Sequence, residues 1–260
     1  MFNVRLKSLC TLAVLYVFAL LFCWGAACYF KLVDPLLLPS PVQVAGVAYK
    51  LLLSGELQHQ ILVSLERMLF GFFLGAGLAL IVGFLCGVSK KIGHWLEPLI
   101  YLAYPIPRFA LLPFIMLMFG VGMMSKVVFI GLAAFFPIAI NTISGIANIN
   151  ENYLEAARHY GASGWKLYKR VILPASLPSI FTGVRISLGI TVSTTTVIEF
   201  LTSTDGLGAM IWLSLQALRI DRMFLGVIIV VFFNLMLVLL LKVLEHLFIP
   251  WNRDTVALED

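Results

Sequence analysis

The stretch LVSLERMLFGFFLGAGLALIVGFLCGV, residues 62–88, decides the class of fold. It is apolar over most of its length and exceeds the roughly 20 residues that an α-helix needs to cross the hydrocarbon core of a bilayer. Lys90 and Lys91 follow it directly, as is typical of the cytoplasmic end of a membrane span. We therefore predict a transmembrane helix over these residues.

The composition of the whole chain leads to the same conclusion. Of its 260 residues, 61% are hydrophobic and 12% are charged, whereas soluble domains average about 45–50% and about 25%. Further apolar segments run from about Leu9 to Phe30, Leu96 to Phe119, Lys126 to Ala147, Leu177 to Leu201, and Met223 to Ile249. We predict an all-α polytopic membrane protein, a single domain over residues 1–260 with about six transmembrane helices.

The distribution of lysine and arginine predicts the orientation. These residues are more numerous in the segments that share a side with the N-terminus, so both termini are expected in the cytoplasm. The net charge of +5 is scattered between apolar blocks, which argues for a topology signal and against nucleic-acid binding.

Two segments on the other side have patterns of their own. The proline-rich residues 33–44 predict an extended piece, and residues 204–222 predict a short interfacial helix. The glycines of GFFLGAG (71–77) and GFLCG (83–87) lie four apart, a spacing that lets helices approach closely. We favour packing within the chain over a contact between subunits.

Polar residues within the apolar segments are the candidates for a solute pathway. Arg108 lies among prolines in YPIPRFALLPF (104–114) and either binds an anion or extends to the lipid headgroups, since it is expected near the cytoplasmic end. The hydroxyl residues Ser193, Thr194, Thr195 and Thr196 either line the pathway or bond to their own helix. Glu199 either contacts solute or pairs with a neighbour.

The segment EAARHYGASGWKLYKRVILPASLP, residues 155–178, interrupts the apolar pattern. A helix over 151–160 is predicted to stop at Gly161, and Ser163 to cap a second short helix that Pro174 and Pro178 end. The small side chains of Ala156 and Ala157 suit close contact with a partner. A docking element is one reading and a membrane-surface helix the other.

Residues 155–174 and several other segments resemble those of a known protein family. Glu155-Ala156-Ala157, three residues, Gly161, nine residues and then Val171-Ile172-Leu173-Pro174 resemble the EAA loop of ABC importer permeases, with Val171 in place of the usual isoleucine. LPSPVQV (38–44), SLERMLFGFFLG (64–75), YPIPRFALLPFIMLMFG (104–120), LPSIFTGVRISLGI (177–190) and EFLTSTDGLG (199–208) resemble the nitrate, sulfonate, taurine and bicarbonate branch.

The resemblance implies a type I importer permease fold in a bacterial inner membrane, with a cytoplasmic coupling loop at about 150–176. It implies a permease homodimer, a separate ATP-hydrolysing ABC subunit, and a periplasmic or lipoprotein solute-binding protein. Glu155, Ala156, Ala157, Gly161, Leu173 and Pro174 would then couple the chain to the ATPase. The chain itself would hold no metal or cofactor and would not be an enzyme, because ATP and Mg would bind the ATPase subunit.

The function expected is ATP-driven import of a small solute, with a sulfonate, taurine, nitrate or bicarbonate as the favoured anion. An ion-coupled secondary transporter using Glu199 or Arg108 is the main rival, but such folds carry inverted repeats that the sequence does not display. A structural membrane scaffold is a third class. Import of a non-anionic solute, such as a pyrimidine vitamin precursor, also stays open.

Overall fold

The computed structural model describes residues 22–34 and 37–249. Residues 22–29 are helical, and the helices that follow are α1 (Pro41–Leu53), α2 (Glu56–Val88), α3 (Lys90–Ala103), α4 (Leu112–Phe119), α5 (Met123–Ala147), α6 (Glu151–His159), α7 (Gly164–Leu167), α8 (Leu173–Thr202), α9 (Leu207–Gln216) and α10 (Ile220–Phe248). A 3-10 turn precedes α4 and a π-helical turn joins α7 to α8. Over these ranges no strand is present, which confirms the all-α class.

Four helical units are long and apolar enough to cross a membrane. They are α2, α5, the continuous unit Gly164–Thr202, and Ile220–Glu245 of α10. A fifth candidate is α3 taken together with Arg108–Phe119, but these two parts are bent by 95°. Most of the first predicted helix, Leu9 to Phe30, lies outside the described residues. A polytopic membrane fold is therefore confirmed.

The segment predicted as one helix over Leu96 to Phe119 is broken in the structure. Helix α3 ends at Ala103, and the chain turns before Arg108. Pro105 and Pro107 lie in the break, where they remove backbone donors and disfavour helix at the residue before each of them. The prolines thus divide the segment instead of merely kinking it.

The core forms around α5, which packs between α2 and α8. The core residues are Phe72, Ala76 and Ala79 of α2, Ala134, Ile138 and Ala139 of α5, Leu188 of α8, and Leu241 of α10. At Gly75, an added Cβ would lie 2.1 Å from the carbonyl oxygen of Gly131. Gly71, Gly83 and Gly87 also face α5. These contacts confirm that the glycines spaced four apart serve packing within the chain.

Of two local predictions, one differs from the structure and the other agrees with it. Residues 41–44 are helical, not extended, because Ser40 and Gln43 form a reciprocal capping box and Pro41 occupies the first helical position, where its fixed φ suits a helix. In contrast, the short helix predicted over 204–222 is present as α9, with Met210 buried.

The prediction that Pro174 and Pro178 end a short helix is wrong. Helix continues through both prolines, as part of the unit Gly164–Thr202. The π turn Tyr168–Ile172 directly precedes Leu173-Pro174, and such a turn shifts the hydrogen-bond register near a residue that lacks a donor. Ser163 occupies the N-cap position, but its hydroxyl makes no capping hydrogen bond.

Candidate functional site

A cleft between the α3–α4 break and α8 brings together residues that the sequence singled out separately. It has a volume of ≈ 350 Å³ and is lined by Arg108, Phe109, Gly189, Ile190, Ser193, Thr194 and Val197. Ligand pockets commonly enclose about 300–1,000 Å³. The cleft thus has room for a small solute beside one cation and two hydroxyl groups.

Arg108 lies in the 3-10 turn after the break, with its guanidinium against α5. Its Nη1 donates to the carbonyl oxygen of Ala133 at 3.3 Å. Ala133 lies ten residues after Met123 and fourteen before Ala147, so Arg108 is near the middle of the span. This position differs from the expected one near the cytoplasmic end, because the chain bends by 95° between α3 and the part that begins at Arg108.

The hydroxyl residues of α8 divide between two places. Ser193 and Thr194 line the cleft, while Thr195 and Thr196 line a cavity of ≈ 20 Å³ beside Glu199. The hydroxyls of Ser193, Thr195 and Thr196 donate to carbonyl oxygens one turn earlier, at Gly189, Thr191 and Val192. Thr194 makes no side-chain hydrogen bond to the described residues, so its hydroxyl is available to a solute.

Glu199 is fully buried and its carboxylate is surrounded by donors. Ser64 Oγ lies 2.8 Å from Oε2, Arg67 Nη1 lies 3.0 Å from Oε1, and the backbone N–H of Gly208 donates to Oε2 at 2.9 Å. A cavity of ≈ 20 Å³ is about the size of one water molecule. In this conformation the space beside Glu199 is too small for an organic solute.

Arg67 links Glu199 to the turn between α8 and α9. Its Nη1 also donates to the carbonyl oxygen of Asp205 at 2.8 Å, and its Nη2 donates to Asp205 Oδ1 at 2.5 Å. This hydrogen bond lowers the pKa of Asp205 below its ordinary value. We call Ser64, Arg67, Glu199 and Asp205 the arginine cluster.

Ser64 and Arg67 were not among the residues predicted from the sequence. The available signal was an arginine within an apolar run, since an ionisable residue in a membrane span is costly unless it has a partner. Lys126 lies nearby and is likewise buried. With Glu199 and Asp205 the two cations form a balanced set of charges, which explains how they are tolerated away from water.

The 150–172 segment lies at the opposite end of the bundle from the arginine cluster. Ile146, Leu167 and Ile172 form a small core there, with Leu154 and Ala157 packed against it. Glu155 and Ala156 are exposed. Gly161 ends α6 with φ at +79°, a left-handed conformation that favours glycine. Leu173 and Pro174 begin α8.

The comparisons with known proteins add the family. The model of the family described as "Binding-protein-dependent transport system inner membrane component" matches residues 75–250. A Bacillus subtilis protein named for aliphatic sulfonates transport is 35% identical over 89% of this chain and 84% of its own length. The taurine transport system permease protein of Escherichia coli is 32% identical, covering 94% and 90%. The riboflavin transport system permease protein of Chloroflexus aurantiacus is 34% identical, covering 94% and 89%.

Proposed function

This chain belongs to the family of inner membrane components of binding-protein-dependent transport systems, and from that membership we propose that it is a permease moving a small anion, with taurine and other sulfonates as the first class. The observation that carries the proposal is the position of Arg108. Its guanidinium has five N–H donors, of which one bonds to Ala133. The others make no hydrogen bond within the described ranges, and they lie at a cleft that also holds Ser193 and Thr194.

The chemistry of the cleft suits a sulfonate. An arginine offers a fixed positive charge with donors in a planar fork, and hydrogen bonds from it to an anion are stronger than neutral ones. The Thr194 hydroxyl adds a donor, and it can bind a solute without first breaking a hydrogen bond to the described residues. A site with few groups binds weakly, as passage requires, since a solute must leave as readily as it enters.

A second copy of this chain is the proposed partner within the membrane. The cleft opens to the surface of a single chain, and Ser193 at its edge is exposed. A polar residue exposed to lipid is unfavourable, so a second copy facing α8 would close the pathway and leave the polar face to water. The whole chain would act as one transmembrane domain with both termini in the cytoplasm.

An ATP-hydrolysing subunit is the proposed partner at the coupling loop of about 150–176, which contains the 150–172 segment. Glu155, Ala156 and Tyr160 are exposed there, while Leu154 and Ala157 attach the helix to the bundle. ATP and Mg would bind that subunit, and the chain itself would hold no cofactor. A solute-binding protein would deliver the anion at the opposite end.

Reconstitution tests the function. Proteoliposomes with this chain, its ATPase subunit and taurine-loaded binding protein are expected to accumulate taurine only when ATP is supplied. Uptake that continues without ATP but stops with the ion gradient would instead support a secondary transporter. Accumulation of riboflavin and not of taurine or any other small anion would favour the non-anionic alternative.

A matched pair of glycine variants tests the coupling segment. Gly161→Leu places a side chain at φ +79°, which is strained even though no atom lies within 4 Å of an added Cβ. Gly46→Leu also meets open space, but its φ is not positive. We expect Gly161→Leu to insert normally and lose ATP-driven uptake, and Gly46→Leu to keep it. Normal uptake by both would contradict the docking role.

A further inference from the structure

Helix α8 is continuous with the π turn and α7, and the helical unit that they form makes different contacts at its two ends. The unit Gly164–Thr202 is helical throughout its 39 residues, about 58 Å at 1.5 Å per residue. One end belongs to the 150–172 segment with its exposed surface. The other end carries Glu199 in the arginine cluster. Because the helix is unbroken, a displacement at one end is transmitted to the other.

The arginine cluster attaches this end of α8 to one face of α2. Gln60, Ser64 and Arg67 follow one another at intervals of four and three residues, which places them on a common helix face. Ser64 and Arg67 donate to Glu199. Ser64 Oγ also accepts the N–H of Leu207 at 2.7 Å, and Gln60 Oε1 accepts the N–H of Gly206 at 2.5 Å. The α8–α9 turn is therefore held by the same residues.

The cluster and the cleft lie on different sides of α8. Glu199 lies six positions after Ser193, which at about 100° per residue places them about 120° apart around the helix axis. A rotation of α8 about its axis would break the bonds of Glu199 and would turn Ser193 and Thr194 relative to Arg108. The cluster thus fixes which side chains α8 presents to the cleft.

We infer that Ser64, Arg67 and Glu199 are positioning residues that fasten the far end of α8, so that movement delivered at the 150–172 segment reaches the solute pathway instead of being lost as free rotation of the helix. This inference rests on the proposed function. It assigns Glu199 to holding α8 and not to contact with solute.

The variant Glu199→Gln tests the inference, because it keeps the shape of the side chain and removes its charge. Its matched control is Glu66→Gln, since Glu66 lies beside Arg67 on α2, is exposed, and makes no hydrogen bond or ion pair with the described residues. In proteoliposomes with the ATPase subunit and binding protein, we expect Glu199→Gln to lower solute transported per ATP hydrolysed by about two- to thirtyfold. Glu66→Gln is expected to match the wild type.

A second measurement needs this chain alone. Hydrogen exchange of the Gly208 amide is expected to be about tenfold faster in Glu199→Gln than in Glu66→Gln, because this amide donates to the carboxylate that the variant replaces by a neutral amide. If Glu199→Gln does not insert, Ser64→Ala serves for both measurements. Wild-type ratios of transport to ATP hydrolysis in the variant that inserts would overturn the inference. Absence of ATP-driven uptake by the wild type would instead overturn the proposed function.

Discussion

Two arginines within the membrane-spanning part of the chain differ in how their donors are used. Arg67 has a side chain that is 7% exposed and bonds to Glu199 and to two oxygens of Asp205. Arg108 is only partly buried and makes one hydrogen bond to the described part of the chain, to a backbone carbonyl of α5. A buried guanidinium surrounded by fixed acceptors stabilises structure. One that faces a cleft with unused donors is available to a passing anion.

The largest expected difference between the two arginines is in how much each contributes to the free energy of unfolding. Arg67→Met leaves Glu199 buried without its cation, and loss of one partner of a buried ion pair costs about 3–5 kcal/mol. Arg108→Met removes one hydrogen bond at a partly exposed site and should cost about 1 kcal/mol. Unfolding of the purified chain in detergent measures both. Equal losses would remove the distinction.

Uptake should depend directly on the charge of Arg108, because this arginine lines the cleft. Arg108→Gln removes the positive charge from the cleft and is expected to lower ATP-driven taurine uptake about tenfold, the usual effect of losing a charge-assisted hydrogen bond. Lys242→Gln is the control for net charge, since Lys242 is exposed on α10 away from the cleft. Equal uptake by these two variants would count against anion contact at Arg108.

The hydroxyl of Thr194 should have a smaller effect. Thr194→Val keeps the shape of the side chain and removes the donor, so uptake is expected to fall about two- to tenfold. Thr182 lies on the same helix and donates to the carbonyl of Pro178 outside the cleft. If Thr182→Val reduces uptake as much as Thr194→Val does, the loss reflects the helix and not the solute.

The smallest effect concerns pH at the arginine cluster. Arg67 lowers the pKa of Asp205, so the carboxylate stabilises the folded state above the unfolded pKa of about 3.9, and this stabilisation is lost as pH falls through the folded value. Asp205→Asn should therefore unfold more easily than the wild type at neutral pH. The difference should shrink below about pH 4, and a difference independent of pH would contradict the assignment.

Much of the fold follows from sequence because the bilayer imposes simple rules. Length and hydropathy locate α2, α5, α8 and α10, and the glycine spacing predicts close packing within the chain, for which the structure supplies α5 as the partner. The break before Arg108 was harder to predict. Prolines indicate a disturbance of the helix, but whether the chain kinks or turns by 95° depends on what packs against it.

The candidate site could be predicted from the sequence only in part, for a related reason. Arg108, Ser193 and Thr194 were each recognisable as polar residues in apolar segments, but their meeting in one cleft is a tertiary property. Glu199 was recognisable as well, whereas its partners Ser64 and Arg67 are 135 and 132 residues away in sequence. No local pattern encodes a pairing over such a separation.

The most direct measurement replaces each arginine by lysine and records taurine uptake and ATP hydrolysis in the same proteoliposomes. Lysine keeps the charge but not the planar fork. Arg108→Lys is predicted to retain most uptake, because a point charge still attracts an anion, and to keep the wild-type ratio of transport to hydrolysis. Arg67→Lys is predicted to lower that ratio, because lysine cannot bridge Glu199 and Asp205 in the same geometry. An unchanged ratio in Arg67→Lys together with lost uptake in Arg108→Lys would contradict the account.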